Sequence, residues 1–306
     1  MDYVLRTYGL TKKYKKHLAV NQAEMTISRG DIYGFVGENG SGKTTIIRLI
    51  TGLIFPQGGG FELFGVPHDS KDIGVARSKV GAVVESPSIY QNMSAYDNLK
   101  MQCVILGLPA DDRIARTLDV VGLGDLLNEK KHVSNFSLGM RQRLGIAMAL
   151  LGEPEFLILD EPMNGLDPAG IVDIRELILK LNREQGITFL ISSHILTELS
   201  LVATKYGIIS HGHILKEITA EELQRELAKT TDITADRPEA LAAVLVDVVP
   251  KSAISYIPDG VRITGELDLN AALLAVLGAD IRIRSINCHE SSFEEYYLET
   301  IGGKHA

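Results

Sequence analysis

The sequence predicts an α/β protein: a core of alternating strands and helices, an antiparallel flap before it, a helical block set into it, and a small α+β appendage at the end. Three observations predict this. A glycine-rich turn, Gly37 to Thr45, joins an apolar run to a helical pattern. A second apolar run, Glu155 to Leu159, ends in the paired carboxylates Asp160 and Glu161. From about residue 230 onward, short strand and helix patterns alternate without such chemistry-bearing turns.

The totals bound the reading. A chain of 306 residues can bury a full core, and one large domain plus a small one is the natural division. Hydrophobic content of 45% with 23% charged residues is that of a globular protein. A net charge of −8 argues against a general basic field for nucleic acid. Lys12, Lys13, Lys15 and Lys16 form a local basic run, which reads as a solvated face. Cys103 and Cys288 are too few for a disulfide framework, so a reducing compartment fits. The opening Met1-Asp2-Tyr3-Val4-Leu5-Arg6 is not a signal peptide, and no apolar run reaches the ~18–20 residues that cross a bilayer. Any membrane role is expected to come through a partner.

Tyr3 to Thr7 and Ala19 to Ile27 read as two flap strands joined by the lysine-rich turn, with Tyr14 in that turn. An aromatic there is either a surface residue or a platform on which a base stacks. Ile32 to Val36 reads as a buried strand, and Ile46, Ile47, Leu49 and Ile50 recur at helical spacing. Between them, Gly37-Glu38-Asn39-Gly40-Ser41-Gly42-Lys43-Thr44-Thr45 matches the phosphate-binding loop pattern in its required context. Its glycines let backbone N–H groups close around phosphates. The helix start adds a positive dipole end. Lys43 is expected on the β/γ-phosphates and the Thr44 hydroxyl on Mg²⁺.

Gly52, Pro56, Gly58, Gly59 and Gly60 read as a breaker cluster, with a short strand at Phe61 to Phe64. Lys79 to Val84 reads as a strand ending at Glu85. A helical block follows, beginning at Ser94, with further helices at Asp111 to Val121 and Ser137 to Leu151. The strand Glu155 to Leu159 then runs into Asp160-Glu161, whose burial is costly without a metal and a reacting water as partners. After the tight loop Asn164-Gly165-Leu166-Asp167-Pro168 comes a helix to about Glu184. Ile187 to Ile191 is the next buried strand, ending at Ser192-Ser193-His194 on the sheet edge that carries Asp160. A lone histidine after a strand is more often structural, but this one leaves the ligand-binding edge. Lys205 to Ser210 and His213 to Ile218 read as a closing hairpin. His17, His68, His132, His211, His213 and His289 show no metal-ligand spacing. The appendage is expected to hold strands at Thr231 to Ala235, Ala253 to Ile257, Val261 to Thr264 and Ile281 to Ile286. Helices are expected at Pro238 to Val246, Leu269 to Leu277 and Ser291 to Ile301.

One more turn acquires meaning from its place in this order: Asn135-Phe136-Ser137-Leu138-Gly139-Met140-Arg141-Gln142-Arg143. With it, residues 3–225 resemble the ATPase subunit of ATP-binding cassette (ABC) transporters, motif for motif. The resemblance implies a P-loop NTPase core of the RecA-like kind over residues 1–229, a helical subdomain at about 88–152, and an accessory domain at 230–306. It implies ATP and Mg²⁺ as cofactors. Tyr14 would be the adenine platform; Gly37, Glu38, Asn39, Gly40, Ser41, Gly42, Lys43, Thr44 and Thr45 would hold the phosphates. Asp160 would be the metal-side carboxylate, Glu161 the general base, and His194 the switch histidine on the γ-phosphate. Ser137 and Gly139 would reach the nucleotide of a second copy, and Asp167 would lie in the loop between copies. Two copies would thus sandwich two ATPs.

The chain departs from the family pattern in two places. Glu85 stands where glutamine is usual, and is expected to ligate Mg²⁺ with an added charge. The Ser-Gly-Gly-Gln signature becomes Ser137-Leu138-Gly139-Met140. These departures, with Val84-Glu85-Ser86-Pro87 and the ending Ser292-Phe293-Glu294-Glu295-Tyr296-Tyr297, resemble the bacitracin and lantibiotic self-immunity exporters. That resemblance implies an ATPase dimer on the inner face of the cell membrane, bound to a separate permease through residues around Glu85 to Asn98, with no contact to the peptide cargo and none to nucleic acid. Besides the ATPase of another exporter, the alternatives are an importer ATPase and a soluble ABC protein acting on ribosomes or DNA. The first would carry a larger C-terminal barrel and the second a fused cassette or coiled coil.

Overall fold

The computed structural model describes residues 3–110, 112–227, 229–290 and 292–302. The chain divides into two compact units, Met1–Ala220 and Glu221–Ala306, so the division falls after Ala220 rather than after residue 229.

The first unit opens with a long hairpin, β1 (Tyr3–Tyr14) and β2 (His17–Ser28). Lys12, Lys13 and Tyr14 therefore belong to β1, not to a turn; Tyr14 pairs with His17 and only Lys15 and Lys16 turn the chain. β3 (Ile32–Val36) is buried at every position and leads through the glycine loop into α1 (Lys43–Thr51). β4 (Gly58–Leu63) starts within the expected breaker cluster. Gly60 pairs with Tyr8 and Gly58 with Thr11. A Cβ on Gly59 would stand 2.1 Å from the Gly9 carbonyl oxygen, so these glycines permit a close backbone approach instead of ending the strand. β5 (Val66–Pro67) and α2 (Ile73–Arg77) are too short for periodicity to reveal.

β6 (Val80–Val83) leads to the helical block: α3 (Ala95–Leu106), α4 (Arg113–Val120), 3₁₀ turns at Gly124–Leu126 and Val133–Asn135, and α5 (Leu138–Leu150). Ser94 caps α3 by accepting the Asp97 N–H, as its position before an apolar helix implies. Asp111, expected to open the second of these helices, lies outside the described residues. Then come β7 (Phe156–Asp160), α6 (Pro168–Gln185), β8 (Thr188–Ser193), α7 (Leu196–Ser200), β9 (Lys205–Ser210) and β10 (His213–Thr219).

The six-stranded sheet has the order β10-β9-β3-β8-β7-β6. All its neighbours are parallel except β10 on β9. β3, β7 and β8 carry no exposed residue, which is why they read as continuous apolar runs. Each fully buried Ile, Leu or Phe in them contributes about 1.5–3 kcal/mol. The flap is a separate four-stranded sheet, β2-β1-β4-β5. Its inner residues share one core with α1 and the main sheet, including Leu5, Met25, Phe35, Ile47, Phe61 and Ile158.

The division falls just inside α8 (Ala220–Glu226), and the second unit goes on through β11 (Lys229–Ala235), α9 (Pro238–Leu245), β12 (Ile254–Ile257), β13 (Gly260–Thr264), α10 (Leu269–Gly278), β14 (Ile283–Glu290) and α11 (Phe293–Gly302). Strand, helix, two strands, helix, strand, with the sheet order β12-β13-β11-β14 and antiparallel neighbours, is a split β-α-β arrangement. Ile233, Leu241, Leu245, Val261, Ile263 and Val276 fill its core. Arg262 grips Asp232 with two hydrogen bonds of 2.7 Å across the sheet. Ser291, expected to open the last helix, lies outside the described residues.

Candidate functional site

Parallel register assembles the site. Val36 pairs with Ser193, Asp160 with Ser192, and Val83 with Leu159. The glycine loop, the carboxylate pair, His194 and Glu85 therefore all leave one edge of the sheet, at the carboxyl ends of its strands.

The glycine loop is shaped for an anion. Gly42 caps α1 with φ 115° and no side chain caps the helix, so its first N–H groups remain available. No acidic residue stands in that first turn. A Cβ on Gly37 would come within 2.5 Å of the Ile209 carbonyl oxygen, and one on Gly42 within 2.6 Å of that of Ala19. Ser41 Oγ is buried without a hydrogen-bond partner among the described residues, an orphan that a phosphate oxygen would satisfy. Glu38, Asn39 and Gly40 are exposed at the tip; Thr44 and Thr45 are half-buried.

Lys43 is 5% exposed and folds back on its own loop, donating to the carbonyls of Gly37 at 2.5 Å and Glu38 at 3.1 Å. It also stands 3.6 Å from Glu161 Oε1. Burial pushes its pKa down, against the pull of Glu161, Asp160 and Glu38. An ammonium in this position gains from a phosphate.

Asp160 is 2% exposed, and its Oδ1 accepts the Ser192 hydroxyl at 2.5 Å. Glu161 turns out of the strand with φ 51°, a region a glutamate occupies only when its surroundings impose it. Its Oε2 is 2.7 Å from His194 Nδ1, so Lys43, Glu161 and His194 form one chain of polar contacts. The sequence marked these three residues separately; the sheet brings them together.

The remaining expected residues stand apart from this chain. Ser137 is exposed and caps α5, accepting the Met140 N–H at 3.2 Å. Its neighbour Leu138 is 42% exposed and lies against Gly165, where an added Cβ would be 3.3 Å from Leu138 Cδ2. Gly139 faces Leu166 in the same way at 3.9 Å. The altered signature turn is thus packed against the Asn164–Asp167 loop of its own chain, and a leucine fits because Gly165 has no side chain. Asp167 caps α6, accepting the Gly170 N–H at 3.0 Å. Tyr14 is 41% exposed, with Lys12 Nζ 5.6 Å above its ring. Glu85, at φ 60°, is engaged by Arg48 Nη2 at 2.5 Å, so a role on Mg²⁺ requires it to leave that guanidinium. Sequence reasoning missed Ser192 and Arg48. The only signal for Ser192 was a polar pair before a strand-end histidine; for Arg48 there was none.

A groove of about 760 Å³ lies between the β6 edge and the helical block, lined by Val83, Pro87, Tyr90, Asn98, Met101 and Gly145 among others. Among the described residues, no helix is long and apolar enough to cross a membrane.

Residues 20–164 match the family model described as "ABC transporter". The bacitracin transport ATP-binding protein BcrA of Enterococcus faecalis is 37% identical, over 99% of this chain and 98% of that one. The lantibiotic transport ATP-binding protein SrtF of Streptococcus pyogenes is 42% identical, over 73% of this chain and 95% of that one. Among solved structures, CbiO1 of Clostridium perfringens, part of the ABC transporter complex CbiONQ, aligns with a TM-score of 0.66 at 28% identity. It covers 74% of this chain and 95% of that one.

Proposed function

The chain belongs to the ATP-binding subunits of ABC transporters and is an ATP-hydrolysing enzyme, and we propose that it drives export of an antimicrobial peptide of the bacitracin or lantibiotic kind, conferring self-immunity or resistance. The observation that carries the catalytic part is the Lys43–Glu161–His194 chain at the sheet edge. The cargo rests on the full-length likeness to BcrA and on Glu85 and the altered signature turn.

The resting contacts suggest how these residues work. When ATP enters, loop N–H groups and Ser41 Oγ take the phosphate oxygens, and Lys43 exchanges the Gly37 and Glu38 carbonyls for the β/γ-phosphates. That move frees Glu161 from Lys43 and leaves His194 as its neighbour. Glu161 then accepts the proton of the water that attacks the γ-phosphorus as the bond to ADP breaks. The Thr44 hydroxyl and the Asp160 carboxylate are hard oxygen donors that fit Mg²⁺. Bound there, the ion offsets charge on the phosphate oxygens. Ser137, exposed on its own copy, completes the site of a second copy, with Asp167 in the loop between them. Tyr14 takes the adenine. The groove beside β6 receives a helix of a separate permease, which places the dimer on the inner face of the membrane and keeps it from the cargo.

A strain lacking the gene, complemented with wild type or Glu161→Gln, tests the reading. Wild type should raise the bacitracin or lantibiotic concentration that inhibits growth, and Glu161→Gln should not. Equal complementation by both would overturn it.

A further inference from the structure

We propose that Ser192 is a positioning residue that holds the metal-side carboxylate and the general base at a set spacing. The proposal rests on the roles given above to Asp160 and Glu161.

Ser192 stands next to last in β8 and is 0% exposed. Its hydroxyl has a single proton, which it donates to Asp160 Oδ1 at 2.5 Å. Ser192 Oγ in turn accepts the Glu161 N–H at 2.9 Å, and the Ser192 carbonyl oxygen accepts the same N–H at 3.2 Å. One residue thus grips the last residue of the neighbouring strand and the residue that follows it. Parallel register pairs Ser192 with Asp160, which leaves Glu161 as the first residue beyond the ladder. There the backbone enters the left-handed region at φ 51°, and the bonds to Ser192 are what hold it in that turn. Two residues further along, His194 Nδ1 meets Glu161 Oε2 at 2.7 Å. The strand end Ser192-Ser193-His194 therefore holds Glu161 at both its backbone and its carboxylate. Ser193 takes a third task, accepting the Ile195 N–H at 2.9 Å to shape the turn between them.

A hydroxyl that merely satisfied a buried carboxylate would affect stability alone. One that orients a metal-side oxygen affects ion affinity and turnover while leaving nucleotide binding nearly untouched, as groups behind a ligand do.

The test uses the full chain as wild type, Ser192→Ala, Ser192→Thr, Ser192→Cys and Glu161→Gln. Melting temperature, kcat and KM for ATP are measured, together with Mn²⁺ binding in the presence of AMP-PNP by electron paramagnetic resonance. In Ser192→Ala, kcat and Mn²⁺ affinity should each fall about tenfold, with KM within about twofold of wild type. Ser192→Thr, which keeps the hydroxyl, should recover most of both. Ser192→Cys, which keeps the shape with a weak donor, should resemble Ser192→Ala and covers the case in which the extra methyl of threonine unfolds the strand end. Wild-type Mn²⁺ affinity in Ser192→Ala, or a loss of kcat that only tracks the folded fraction, overturns the proposal. If Glu161→Gln still turns over, the reading of the base fails instead. An inactive Glu161→Gln beside a normal Ser192→Ala removes only Ser192.

Discussion

At the sheet edge, Asp160 is 2% exposed and tied to Ser192, while Glu161 is spanned by Lys43 and His194. At the start of α5, Ser137 is exposed, and among the described residues its hydroxyl makes only the local capping bond to Met140. Both regions carry residues assigned to the same reaction. The first is prepared within one chain, because buried charge is tolerated only when it is paired. The second faces outward, as the completion by another copy proposed above requires. Leu138 and Gly165 show that this outward turn is still anchored: it is held from behind and left open in front.

The largest effect should come from the prepared region. Glu161→Gln should lower kcat by about 10²–10⁴-fold while ATP still binds. Gel filtration with ATP should show an accumulated dimer; a mutant that stays monomeric would break the contrast between the two regions. Lys43→Ala should come next, with ATP affinity reduced ~100-fold or more as a charge-assisted contact to phosphate is lost. Equilibrium binding of a fluorescent ATP analogue measures it. Ser137→Ala sharpens the comparison. It should cut turnover about tenfold in the dimer, the lower end of what one transition-state donor contributes. Its affinity for ATP at dilutions where the chain is monomeric should be that of wild type. A changed monomer affinity would place Ser137 in its own copy's site.

Smaller effects probe the anchoring. Gly165→Ala meets both a φ of 74° and the Leu138 side chain at 3.3 Å, and should cost about 1 kcal/mol or more, read as a lowered melting temperature. Glu85→Gln should be the mildest for stability, since the Arg48 pair it breaks is largely exposed and contributes about 0–1 kcal/mol. If Glu85 leaves Arg48 for Mg²⁺ during turnover, the same substitution should shift the Mg²⁺ dependence of ATPase activity; an unchanged dependence removes Glu85 from the site.

Much of this molecule could be read along the chain. β3, β7 and β8 declared themselves as apolar runs because both of their faces are covered. Ser94 and Ser137 declared helix starts because a cap acts within three residues of itself. The phosphate loop needs only its own glycines and the helix that follows. Where local reading went astray, distant backbone was responsible: Gly58 to Gly60 form strand because β1 lies beside them, and Tyr14 is strand because His17 pairs with it.

What the linear order determined, then, was the inventory: a loop for phosphate, two carboxylates after a buried strand, a histidine after another, a capped serine turn and a separate small unit. What only the tertiary structure decided was who touches whom. Ser192 reaches Asp160 across 32 residues of sequence, Arg48 reaches Glu85 across 37, and Leu138 finds Gly165. Such contacts depend on strand order and parallel register. Register follows from burying whole strands together, so no single segment of sequence records it.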